Sequence, residues 1–111
     1  MQTWDIQALA VEPHHPQVLR SDDESRAIAI QLPAGEEMQE HQVHERSYLI
    51  VADGEIEIDH DGQSIRGGPG FLSHFEPNER RTVRALTDAR LLLLLSPWPG
   101  VGHPSAWVAA A

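Results

Sequence analysis

The sequence predicts an all-β fold: a single-domain jelly-roll β-barrel built from short strands. Three observations carry that prediction. Apolar and polar residues alternate at period two in several short runs, Arg26 to Leu32 (RAIAIQL) being the clearest. Turn signals recur every several residues, among them two Asp-Gly pairs, Asp53-Gly54 and Asp61-Gly62. No segment combines the helical period with an apolar stripe that a helix would bury. Many short strands at such spacing mean a sandwich or barrel of jelly-roll type.

Length and composition bound the rest. At 111 residues the chain is one domain, long enough to bury about two-thirds of its unfolded surface. The barrel core is expected over about 17–96, with an irregular Pro/Gly/Trp tail over 97–111. The longest aliphatic run, Leu91 to Leu95, is strand-sized and far short of the roughly 18 residues of a membrane span. Met1 to Asp5 carry no basic and apolar leader pattern. There is no cysteine, hence no disulfide or thiolate chemistry. A cytoplasmic protein with no membrane partner is the expectation. The net charge of −9 argues against nucleic acid, whose phosphates require clustered cations. All eight basic residues are arginines, which excludes lysine Schiff-base and lysine general-base chemistry.

In chain order, Trp4 to Leu9 alternates and suits an edge strand. Pro13 and Pro16 bracket His14-His15 in a connector, with both histidines expected at the surface. Gln17 to Arg20 is a short strand and Ser21 to Ser25 a solvated turn. Arg26 to Leu32 puts Ile28, Ile30 and Leu32 on one face, and Pro33 ends it. Glu36 to Arg46 has helix-forming residues, but only Met38 and Val43 are apolar, so an extended arm is expected. Asp53-Gly54 and Asp61-Gly62 each read as a two-residue hairpin turn, because both positions need positive φ. Between them Ile56 and Ile58 face the core while Glu55, Glu57 and Asp59 face water. Phe71 to Phe75 is a strand containing His74, and Glu76 to Glu79 is a turn. Thr82 to Ala85 and Ala89 to Leu95 read as a last hairpin joined near Thr87-Asp88. Prolines and glycines then forbid regular structure, and Trp98 and Trp107 need a surface to cover them. Tyr48 to Val51 is apolar on both faces, so a homodimer is expected with Tyr48, Ile50 and the tail tryptophans near its interface.

Gly35 to Gly54 (GEEMQEHQVHERSYLIVADG) resembles the first motif of the cupin family, and Gly70 to Ala85 resembles the second. The resemblance covers roughly 30–95. It implies a jelly roll whose interior carries a site, in that family usually a metal held by three histidines and a glutamate. His41 and Gly54 occupy their places in the pattern. Val43 stands where a second histidine is usual, with His44 one place late, Ser47 where the glutamate is usual, and Arg81 where the last histidine is usual.

Three readings follow. In the first, His41, Ser47 and Arg81 bind a small, anionic molecule. An inward arginine offers a fixed cation and a planar donor fork suited to carboxylate or phosphate, and some anion should sit against it, since an unpaired buried charge is costly. In the second, His41 and His44 hold a divalent transition metal (Zn, Fe, Ni or Cu) in an oxygenase- or isomerase-type enzyme, supplemented by His74 and Glu40 or Glu45. Strand parity turns His44 away from the His41 face unless a bulge intervenes. A scaffold that only dimerises is the third. The absent ligands rank the anion site first.

Overall fold

The computed structural model describes residues 1–41 and 45–96, residues 39–41 by their backbone alone. Nine antiparallel strands occur among the described residues: β1 (Gln17–Ser21), β2 (Arg26–Leu32), β3 (Glu37–His41), β4 (Arg46–Asp53), β5 (Ile56–His60), β6 (Gln63–Gly67), β7 (Leu72–Phe75), β8 (Arg81–Ala85) and β9 (Ala89–Ser96). They form a five-stranded sheet in the order β1-β2-β9-β4-β7 and a four-stranded sheet in the order β3-β8-β5-β6. The result is a jelly roll of two facing sheets; among the described residues no strand pairs from one sheet to the other, so closure into a barrel is not observed.

The alternation seen in the sequence is what fills the space between the sheets. Ile30 and Leu32 of β2, Leu49 and Val51 of β4, and Leu91 and Leu93 of β9 project from one sheet. Ile56 and Ile58 of β5 and Val83 and Ala85 of β8 meet them from the other. Phe75 closes one end of this core.

Several connections differ from the sequence reading. Only Asp61-Gly62 is a hairpin turn: it joins β5 to β6, with His60 paired to Gln63 and φ of 51° and 79° at the two turn residues. Asp53-Gly54 instead carries the chain from the five-stranded sheet to the four-stranded one. Its glycine is required by a close approach, because a Cβ there would lie 2.1 Å from the Asp88 carbonyl oxygen. Likewise β8 and β9 belong to different sheets, so Thr87-Asp88 is a second crossover. An Asp-Gly pair specifies a tight reversal, not which strand lies beside which.

The expected strand at Trp4 to Leu9 is absent. Asp5 accepts from the backbone N–H of Gln7 and closes a turn, with the Ala8 N–H donating to the Asp5 carbonyl. The Arg90 guanidinium donates to the carbonyls of Ile6 and Leu9. The segment is therefore a strap tied by side chains, whose backbone groups find partners outside any sheet. Glu57 also departs from expectation: only 11% of its side chain is exposed, since Arg66 and Arg84 lie against it. The extended arm is borne out as β3 as far as His41. His44, Val43 and the tail with Trp98 and Trp107 lie outside the described residues.

Candidate functional site

The polar residues inside the sheets collect at one end of the core. β4 alternates, and Ser47, Leu49 and Val51 all turn inward. Ser47 lies at the polar end of that row, opposite Phe75 of β7. β8 alternates in the same way, with Arg81, Val83 and Ala85 inward and Arg80 exposed. Among the described residues, the buried polar or charged ones are Ser47, fully covered, and Arg81, 3% exposed. Among the described residues, no hydrogen-bond partner reaches the Ser47 Oγ or any of the three Arg81 side-chain nitrogens.

A guanidinium cannot shed its proton at any ordinary pH, so Arg81 is a retained charge inside a small core. Burial pulls its pKa down from the ordinary arginine value, and the nearby Glu79 charge works against that pull. Its Cζ lies 4.4 Å from the centre of the Phe75 ring. Such a contact is worth about 0.5–2 kcal/mol, which does not replace five donor bonds. One flat side of the fork is thus capped by an aromatic ring, while its N–H edge meets no partner among the described residues.

Two more residues belong to this end. The β5–β8 register pairs Ile58 with Val83 and Asp59 with Thr82, so His60 comes next to Arg81 on the inward face. The His60 ring sits 6.2 Å from Phe75, and its Nε2 is 2.7 Å from Glu79 Oε2. A groove of about 330 Å³, lined by His60, Arg81, Thr82, Asp59 and Asp61 among others, opens here to solvent. Sequence reasoning names Glu79, with Glu45 and Glu40, as a possible partner of Arg81 but misses His60. The signal for His60 was available: Ile56, Ile58 and His60 share one parity, so a histidine at the end of that row continues an inward face.

The other expected residues are placed as follows. His41 pairs with Arg81 across the β3–β8 ladder, beyond a register shift that follows Met38. His44 lies outside the described residues. His74 faces away from the core: it is exposed and its ring lies 4.8 Å from Tyr48 on the outer side of the five-stranded sheet. It cannot supplement an internal metal site. Phe75, the next residue, takes the inward position instead, as the two-residue period demands. Glu45 lines a small surface pocket with Asp22 and Arg26, away from Arg81. His14 is at the surface as expected, 3.3 Å from Glu36. That pair rims a larger cleft of about 590 Å³ between β2 and β3, but none of the unpartnered buried donors lies there. The chemistry, not the cleft size, identifies the site.

The residues at this end are a poor match to a divalent metal. Ser47 offers a neutral hydroxyl and Arg81 a fixed positive charge, where the metal-binding pattern would supply a carboxylate and an imidazole. Among the described residues no group of three or more His, Cys, Asp or Glu could hold a metal ion. Arg81 would repel a dication, so the described donors do not fit one.

Comparison with known proteins places the chain. No curated protein matches. Among solved structures, an RmlC-like cupin from Desulfovibrio desulfuricans superposes with a TM-score of 0.78 at 21% identity, over 87% of this chain and 97% of that one. The cupin domain of Schizosaccharomyces pombe Cnp3 superposes with a TM-score of 0.76 at 13% identity, over 85% and 68%. KdgF from a Halomonas species superposes with a TM-score of 0.69 at 20% identity, over 76% and 78%. These identities establish likeness of fold alone. The family model described as "Cupin domain" matches residues 28–97, more than half of the sequence. That span holds both motifs and every residue of the polar end, from Ser47 to Arg81, and the chain belongs to the cupin family.

Proposed function

We propose that this cupin binds a small anion, a carboxylate or similar oxyanion, at Arg81 in the space between its sheets. The observation that carries the reading is the guanidinium itself: 3% exposed, stacked on Phe75, and without a hydrogen-bond partner on any nitrogen among the described residues. A bidentate carboxylate would satisfy the free edge of the fork and neutralise the charge together. Ser47, across the ladder from Phe75, supplies a further hydroxyl, and His41, across from Arg81, a further polar position. The test is titration of the purified protein with formate, acetate and phosphate, followed by calorimetry or by amide shifts in NMR. Binding that disappears in Arg81→Gln supports the reading. Unchanged binding in that variant, or no binding of any of the three, overturns it.

The metal-dependent enzyme stays as the second reading because His41 keeps its place in the motif. It wins if a transition metal co-purifies stoichiometrically and is lost in His41→Ala or His44→Ala.

A homodimer belongs to the same proposal. Tyr48 and Leu72 are 42% and 56% exposed on the outer side of the five-stranded sheet. Ile50, Leu92 and Leu94 extend that apolar face between them.

A further inference from the structure

Resting on the anion-site reading, we propose that Glu79, clamped beside Arg81 by His60 and by its own turn, selects for singly charged anions and against doubly charged ones. The argument starts from the turn Glu76–Glu79. The Glu79 N–H donates to the Glu76 carbonyl at 3.2 Å, and Asn78 adopts a φ of 67° to complete the reversal. The Glu79 side chain then folds back, and its Oε1 accepts from the Glu76 N–H at 2.7 Å. Its Oε2 lies 2.7 Å from His60 Nε2. Both oxygens are engaged, so the carboxylate is held in place.

This carboxylate does not bond Arg81, whose nitrogens have no hydrogen-bond partner among the described residues. Its charge nevertheless acts on the guanidinium, opposing the effect of burial. The site therefore has donors without a partner among the described residues and a carboxylate whose charge offsets that of the guanidinium. A monoanion gains the Arg81 fork and loses little to Glu79. A dianion loses roughly four times as much hydration, since solvation of an ion scales with the square of its charge, and a site whose charge is offset returns little extra attraction for the second charge. Asp59 and Asp61 line the groove together with Arg80, so these three leave one negative unit and do not reverse the bias. Were Glu79 neutral, the offset to the Arg81 charge would be lost and the second anionic charge would meet less repulsion. One unit of charge about 6–12 Å away, at an effective dielectric of about 20, is worth roughly 10–100-fold in affinity.

His60 is a positioning residue in this arrangement. Its Nε2 holds the Glu79 carboxylate in place, and the comparison is made at pH 8 for both proteins, where acetate is a monoanion and malonate a dianion. The experiment measures the ratio of acetate to malonate dissociation constants, by NMR titration, in the wild type and in Glu79→Gln. Glutamine retains an oxygen for the Glu76 N–H and nearly the same shape. Because the ratio is internal to each protein, a general loss of stability or of folded fraction weakens both ligands alike and cancels. The expected result is a wild type that favours acetate and a variant whose ratio moves toward malonate by about 10-fold or more. A ratio that stays within about threefold in Glu79→Gln overturns the selector while leaving Arg81-dependent binding intact. Absence of binding by either anion in either protein overturns the anion site and the selector together.

Discussion

Replacing Arg81 with methionine is expected to make the ligand-free protein more stable. Each buried donor without a partner costs about 1–3 kcal/mol, more when charged, and Arg81 carries three such nitrogens. The Phe75 contact at 4.4 Å returns about 0.5–2 kcal/mol. Methionine is unbranched, close in length and apolar, and it keeps its own contact with the aromatic ring. The balance favours Arg81→Met by about 1–4 kcal/mol, the range seen when buried ionic groups are replaced by apolar residues of similar volume. For a domain of this size each kcal/mol raises Tm by about 4–8 °C. The assay is urea unfolding followed by circular dichroism, in a zwitterionic buffer free of small carboxylates and phosphate, with the midpoint compared at equal m-value. Adding acetate should then raise the stability of the wild type, by about 2.7 kcal/mol at a hundred times its dissociation constant, and leave the variant unmoved. If Arg81→Met is less stable than wild type by more than about 1 kcal/mol in the anion-free buffer, the guanidinium has a partner in the free protein and the reasoning fails.

Further outcomes follow from other contacts. Gly54→Ala would place a methyl 2.1 Å from the Asp88 carbonyl oxygen at a φ of 80° and should cost about 2–5 kcal/mol. Gly62→Ala, with φ of 79° but open space around it, should cost only about 1 kcal/mol; equal losses in chemical denaturation would refute the crossover geometry. The Asp22 carboxylate accepts from the backbone N–H groups of Glu24 and Ser25 at 2.9 and 3.0 Å. Those two bonds, in that order, hold its pKa below the ordinary aspartate value, with Arg20 adding to them. The contribution is therefore complete above the ordinary value and lost as pH falls through the lowered one. A carboxyl-carbon NMR titration should show that low midpoint, and Asp22→Asn should remove the acid-side dependence; an ordinary midpoint contradicts this account. Tyr48→Glu, placed on the exposed apolar face, should give a monomeric mass in light scattering if two copies pair there, whereas a wild type that is already monomeric at micromolar concentration rejects the dimer.

The sequence by itself determined the local alternation, and with it much of the interior. Ile28, Ile30 and Leu32, Ser47 to Val51, and Arg81 to Ala85 each follow the two-residue period, so their inward members could be named without coordinates. Arg81 was legible for that reason: Val83 and Ala85 fix its parity, and the motif that resembles the cupin pattern marks its place. Asp61-Gly62 was legible because its positive φ requirement is local. What the tertiary structure alone decided is which strand lies beside which. Asp53-Gly54 and Thr87-Asp88 have the chemistry of reversals, yet each carries the chain between sheets, because β9 pairs with β2 and β4 across distant parts of the sequence. The same long-range pairing brings Phe75 from β7 and His60 from β5 around Arg81, while Glu79 comes from the turn that directly precedes it. Alternation tells each residue its side of a strand; only the order of strands within and between the sheets tells it its neighbours. The aromatic cap on Arg81 and the His60 clamp on Glu79 depend on strand order and are properties of the fold, whereas the Glu79 charge itself lies two residues from Arg81 in the sequence.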